Sequence, residues 1–181
     1  MTTKVRWGLL STANINKALI TPIRAAQRSE LVGVASRDGS KAKAYAAEHQ
    51  IPKAYGSYEE LIADPEIEAI YNPLPNHLHI PLTLQAARAG KHVLCEKPFS
   101  LTAAEAEQLR EVAGRVHIME AFMVRFHPQW QRVRELVRAG RIGTPRAVQV
   151  FFSYFNDDPG NIRNQADIGG AVGHDGEAGA V

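Results

Sequence analysis

Lys97 carries the sharpest chemical signal in the chain. It follows Glu96 and precedes Pro98, just past the apolar run His92–Cys95. A lysine fixed there by a proline-stiffened turn is placed to hydrogen-bond a substrate oxygen or a cofactor ribose. The competing reading is a surface ion pair with Glu96, worth only about 0–1 kcal/mol. Cys95, the single cysteine, has no base assigned to it by sequence and reads as a small buried hydrophobe rather than a nucleophile.

Other segments share this placement beyond an apolar run. Ser11, Thr12, Ala13, Asn14 and Ile15 open a helical pattern whose free amides and positive dipole end suit a pyrophosphate. Ser11, Ala13 and Asn16 stand where a G-x-G-x-x-G fingerprint has glycines, so close approach of the backbone rests on small residues. An ordinary strand-to-helix turn capped by Ser11 or Thr12 is also compatible with that segment. Ser36 and Arg37 combine a hydroxyl with a guanidinium fork, the donor set for a 2′-phosphate, which favours NADP over NAD. A solvated arginine ahead of the helix cap Asp38 is the plainer alternative. Between Leu74 and His79 lies an H-x-H pair, but no convincing further ligand set accompanies it, so no metal is assigned. There, Asn76 and one histidine either cap a helix or line a cleft. Around Arg125, aromatic and apolar residues mix with single polar groups as in a ligand pocket, although Phe122, Met123 and Phe126 could equally be core, with Pro128 opening a helix.

These residues need a frame, and the rhythm of the chain supplies one. Apolar runs at Val5–Leu10, Leu31–Ala35, Ala69–Asn72, His92–Cys95 and Val116–Met119 alternate with helical patterns, the signature of βαβ units and an α/β parallel sheet. Ser57 with Glu60 and Thr102 with Glu105 match capping boxes. Gly90, Gly114 and Gly140 sit where helices stop. Pro22 predicts a break in the first helix, with Thr21 capping a second piece. Ala147–Phe155 is rich in β-branched and aromatic residues and reads as a strand of another sheet.

The 181 residues are 45% apolar and 22% charged, a globular composition large enough for a real core. With 21 basic against 19 acidic side chains interleaved along the chain, no field exists for nucleic acid or an anionic membrane, and neither is expected as a partner. The polar stretch Met1 to Arg6, the lone cysteine and the lack of a spanning apolar run read as a cytoplasmic protein.

In order and spacing, S-T-A-N at Ser11–Asn14, A-S-R-D at Ala35–Asp38, L-P-N-H-L-H at Leu74–His79, G-K-H-V-L-C-E-K-P at Gly90–Pro98 and M-V-R-F-H-P at Met123–Pro128 resemble the Gfo/Idh/MocA oxidoreductases. Within them, the chain is similar to the branch of glucose-fructose oxidoreductase, NADP-linked D-xylose dehydrogenase and dihydrodiol dehydrogenase. The resemblance implies a Rossmann-type domain over residues 1–126 with helices on both faces of its sheet. Residues 127–170 would then begin an α+β substrate and dimerisation domain, represented by its first strand only, so that the homodimer face is largely missing. NADP is the implied cofactor, with NAD as the alternative, and a sugar or cyclic diol is the substrate. By the same resemblance Lys97 is the catalytic residue and also contacts the nicotinamide ribose. Glu96, Leu74, Pro75, Asn76 and His79 lie beside the cofactor, and Arg125 lies near its nicotinamide end.

The chain departs from the family pattern after Gly170. A D-x-G-x-Tyr or D-x-G-x-His helix start, bearing the catalytic acid/base, is expected there, and the sequence instead runs through His174 to Val181 in small residues. His174 does not sit in that motif and takes no catalytic role. These features predict a truncated or frame-shifted product with a disordered tail over 171–181. They also keep open a non-catalytic nucleotide-binding module. A short-chain dehydrogenase is disfavoured because no Tyr-x-x-x-Lys pair occurs.

Overall fold

The computed structural model describes residues 3–153, 155–161 and 164–165. Six strands form one sheet: β1 (Val5–Leu10), β2 (Ser29–Ala35), β3 (Lys53–Tyr55), β4 (Ala69–Asn72), β5 (His92–Cys95) and β6 (Ile118–Glu120). Their spatial order is β3-β2-β1-β4-β5-β6 and every pairing is parallel. The order reverses direction between β1 and β4, so the crossovers leave on opposite sides and open a crevice at the carboxyl ends of those two strands.

Among the described residues, six α-helices alternate with the strands: α1 (Lys17–Ala25), α2 (Gly39–Glu48), α3 (Tyr58–Ala63), α4 (His79–Arg88), α5 (Ala103–Glu107) and α6 (Pro128–Arg138). Because successive strand side chains point to opposite faces, Leu9 and Leu10 enter different cores. Leu9 packs with Ile20, Ile23, Val34, Tyr45 and Tyr71 beneath α1 and α2. Leu10 packs with Leu61, Ile62, Ile70, Leu82 and Ala86 beneath α3 and α4. Gly8 admits α3 closely: a Cβ there would stand 2.8 Å from Leu61 Cδ2.

Both caps form, with the return bond of each box shifted to the residue before the cap. Ser57 Oγ accepts from Glu60 N and Thr102 Oγ1 from Glu105 N, while the two glutamates reach back to Gly56 N and Leu101 N. Gly90, Gly114 and Gly140 take positive φ of 78°, 81° and 67°, as left-handed helix stops require.

Three expectations are corrected, and one strand was unforeseen. Pro22 does not divide α1, because Pro22 and Ala18 lie on its exposed side, where water can take the freed carbonyl, while Ile20 and Ile23 stay buried. The strand expected at Val116–Met119 is displaced to Ile118–Glu120, where its register with Val93, Leu94 and Cys95 places it. The short edge strand Lys53–Tyr55 was not expected; three residues carry too little pattern to declare themselves before β2 offers a partner. The strand expected at Ala147–Phe155 does not form in the described part of that segment, which joins no sheet among the described residues and leaves Phe151 and Phe152 88% and 84% exposed. A strand exists only by pairing, and no described element offers the partner edge. Tyr154, the tail 171–181 and His174 lie outside the described residues.

Candidate active site

At the end of β1, Ser11 adopts φ 115°, the left-handed side of conformational space where a glycine fingerprint has its first glycine. Local hydrogen bonds hold this unusual residue. Its N–H donates to Ala35 O (2.9 Å), and its Oγ accepts from Ala13 N (3.2 Å). Asn16, fully buried at the third fingerprint position, donates from Nδ2 to Ser11 O at 2.7 Å. The N–H groups of Thr12, Asn14 and Ile15 donate to no described residue, so three amides are free at the mouth of the crevice. That donor set fits a pyrophosphate. The reading of Ser11 or Thr12 as an ordinary helix cap does not hold: the cap position of the Asn14–Asn16 turn is Ala13, without a side-chain bond.

Beside this turn runs a groove lined by Thr12, Asn14, Lys17, Lys41, Ala44, Tyr45 and Glu48. Its two lysines escaped the sequence reading. The available signal was position: Lys41 lies in the first turn of α2, three residues past the cap Asp38.

At the end of β2, Ser36 N donates to Tyr55 O at 3.2 Å, and Ser36 Oγ accepts from Asp38 N at 3.2 Å. Asp38 caps α2, accepting from Ser40 N and Lys41 N. The Ser40 hydroxyl and these amides hold its carboxyl below the usual carboxylate range. Arg37 is exposed and lies near the Tyr58 hydroxyl; burial raises that phenol and the guanidinium charge opposes the rise.

The loop after β4 is braced from inside. Asn72 and His79 are buried, at 0% and 1% exposure. Asn72 Oδ1 accepts from Leu74 N (3.3 Å) and its Nδ2 donates to His79 O (3.2 Å). The His79 ring spans two carbonyls, with Nε2 2.7 Å from Leu74 O and Nδ1 2.7 Å from Pro98 O. Leu74 is buried, Pro75 and Asn76 are half-buried, and His77 is exposed. The two histidines therefore point into different surroundings, and among the described residues no three His, Cys, Asp or Glu side chains gather into a metal cluster. The helix-cap positions here are Pro75 and Leu78 rather than Asn76 or a histidine.

Past β5, Glu96 is fully committed. Its Oε1 accepts from the Tyr71 hydroxyl (2.7 Å) and its Oε2 from Lys97 N (3.2 Å). Burial and the Glu96 carboxylate raise the Tyr71 phenol well above its ordinary range. Lys97 is exposed, and its ammonium makes no ion pair or hydrogen bond with any described residue, so the surface pair with Glu96 is not formed. Cys95 is buried and its thiol is pushed up to about 12 by that burial, which suits the reading as packing. Tyr71 was not anticipated because a tyrosine inside an apolar strand looks like any core aromatic.

After β6, Phe122, Met123 and Phe126 are exposed among the described residues rather than core, and Pro128 begins α6 as expected. Arg125 lines an open groove with Val124, Trp130, Gln131 and Arg134. Every candidate residue thus follows the carboxyl end of a strand, around one rim of the sheet.

Residues 5–126 match the model of an oxidoreductase family with an NAD-binding Rossmann fold. The chain is 44% identical to NADP(+)-dependent D-xylose 1-dehydrogenase 2 of Haloferax volcanii, over 91% of this chain and 51% of that protein. It is 42% identical to trans-1,2-dihydrobenzene-1,2-diol dehydrogenase of Bos taurus, over 82% of this chain and 45% of that protein. A 3-ketoreductase from Actinomadura kijaniata, in complex with NADP and TDP-benzene, superposes with a TM-score of 0.84 and 34% identity, covering 93% of this chain and 52% of that one. The chain spans about half the length of the curated relatives it matches.

Proposed function

The chain belongs to the Gfo/Idh/MocA oxidoreductase family, and on that footing we propose that it binds NADP along the carboxyl rim of its sheet and contributes the coenzyme half of a sugar or cyclic diol dehydrogenase. The observation that carries the reading is the row of free amides at Thr12, Asn14 and Ile15 behind a serine held at positive φ. Free amides are ordinary at a helix start, but a non-glycine residue held at positive φ directly before them is not, and the combination suits a pyrophosphate.

The residues divide the work by position. The free amides hold the pyrophosphate. Ser36 and Arg37, reached from β2 next door, supply a hydroxyl and a planar fork for a 2′-phosphate, and Lys41 adds charge close by. At the far side of the crevice Lys97 would hydrogen-bond the nicotinamide ribose and the substrate oxygen, polarising that oxygen while a tyrosine or histidine base takes the hydroxyl proton. When bound, the nicotinamide supplies the hydride acceptor. Leu74, Pro75 and Asn76 form the wall beside it, His79 and Glu96 hold that wall and the lysine turn in place, and Arg125 stands near the nicotinamide end.

Fluorescence titration with NADPH and NADH, followed by incubation of NADP with a panel of pyranoses and cyclic diols, tests this. We expect NADPH to bind more tightly than NADH. Binding without reduction of NADP by any of these substrates would favour a nucleotide-binding module. No binding of either nucleotide would remove the proposal.

A further inference from the structure

The turn that carries Lys97 is held mostly by side chains. Lys97 N donates to Glu96 Oε2, which is itself steadied by Tyr71 from β4. Pro98 O meets the ring of His79 from α4. The remaining group, Phe99 N, donates to Glu120 Oε1 at 2.9 Å. Glu120 is the last residue of β6, twenty-one positions away along the chain, and is half-buried. It forms no ion pair with any described residue, so neutralising a nearby charge is not its purpose. Just beyond it, Ala121 N donates to Cys95 O at 2.7 Å, which clamps the end of β6 against the end of β5.

We propose that Glu120 is a positioning residue for Lys97: by accepting the Phe99 amide it pins the far end of the 96–99 turn to β6, and so fixes where the Lys97 ammonium stands. This rests on the reading of Lys97 as the group that meets coenzyme and substrate. A carboxylate accepting a backbone amide makes a short, strong, directional bond. Losing it removes the polar tie at the end that neither Glu96 nor His79 holds and leaves only the packing of Phe99 against the core, and a displacement of about 1 Å at a reacting group is enough to cost about 100-fold in rate.

The experiment is a cycle on the full 181-residue chain with Glu120→Ala, Glu120→Gln, Lys97→Ala and the double variant Glu120→Ala/Lys97→Ala. NADPH affinity is read by fluorescence and amide exchange by NMR. We expect Glu120→Ala to weaken NADPH about tenfold in the native background and by less than about twofold once Lys97 is gone, the non-additivity of residues that act together. Glu120→Gln keeps an acceptor oxygen and should stay within about threefold of the native chain. Without coenzyme, Glu120→Ala should speed exchange of the Phe99 amide about tenfold or more. A tenfold loss that persists undiminished in the Lys97→Ala background would make Glu120 merely structural and overturn the inference, as would an unchanged Phe99 exchange rate. If the native chain binds no NADPH, the proposed function falls by itself; the exchange measurement still counts for or against Glu120 as the anchor of the turn.

Discussion

Arg37 is the residue on which cofactor choice turns. It is exposed at the end of β2, beside Ser36 and ahead of the α2 cap, and an arginine there can donate two parallel hydrogen bonds to a phosphate. Arg37→Asp should therefore weaken NADP by about 10–100-fold and change NAD by less than about threefold, measured by paired fluorescence titrations. An equal loss for both nucleotides would mean the guanidinium never meets a 2′-phosphate. At this scale much of the candidate site was legible, because serine, arginine and lysine next to apolar runs are conspicuous. What stayed hidden were groups whose task depends on geometry alone. Tyr71 looks like core until its hydroxyl is found 2.7 Å from Glu96. Asn16 looks like a failed glycine until its amide is found under Ser11. His79 looks like half of a ligand pair until both ring nitrogens are found against backbone carbonyls.

Between elements, one electrostatic tie lies at the edge formed by β3 and α3. Asp64, just past α3, accepts from the Tyr55 hydroxyl at 2.6 Å and from Lys53 Nζ at 2.9 Å. These bonds, with the Glu66 amide, bring its carboxyl down to about 2. A carboxyl lowered on folding stabilises the native state above its unfolded value, near 4, and that contribution is lost as pH falls toward 2. Acid titration of the melting temperature should show this loss, of order 1–2 kcal/mol, and Asp64→Asn should flatten the curve between pH 4 and 2 while lowering stability at pH 7. A curve of the same shape for both proteins would rule the tie out as a source of acid sensitivity. Capping boxes and glycine stops made most helix borders readable because those signals are local. The three-residue strand β3, the shift of β6 and the intact α1 were not readable, since each is decided by a neighbour: β2, β5 and the sheet beneath Ile20 and Ile23.

Among the described residues, the buried core covers both faces of the sheet as far as Val112 and Ile118 of β6, and an exposed apolar surface follows. Phe122, Met123, Phe126, Trp130 and Val133 are exposed around α6, and Val148, Val150, Phe151, Phe152 and Phe155 follow. Patches of this extent are uncommon on soluble monomers. No helix among the described residues is long and apolar enough to cross a membrane. The isolated chain should bind an apolar dye and self-associate at micromolar concentration. Phe151→Ser with Phe152→Ser should reduce both, as followed by dye fluorescence and light scattering. Unchanged association would move the sticky surface elsewhere, α6 being the next place to mutate. The alternation of strands and helices made the Rossmann-type sheet legible; the strand expected at Ala147–Phe155 does not form in its described part because β propensity cannot supply the partner that turns an extended segment into a sheet. A last consequence concerns His79, whose single ring touches both the loop after β4 and the turn after β5. Two walls of the crevice joined through one buried imidazole move as a unit: a molecule that stills one wall stills the other, and relaxation measurements on Leu74 and Phe99 should report one common exchange rate rather than two.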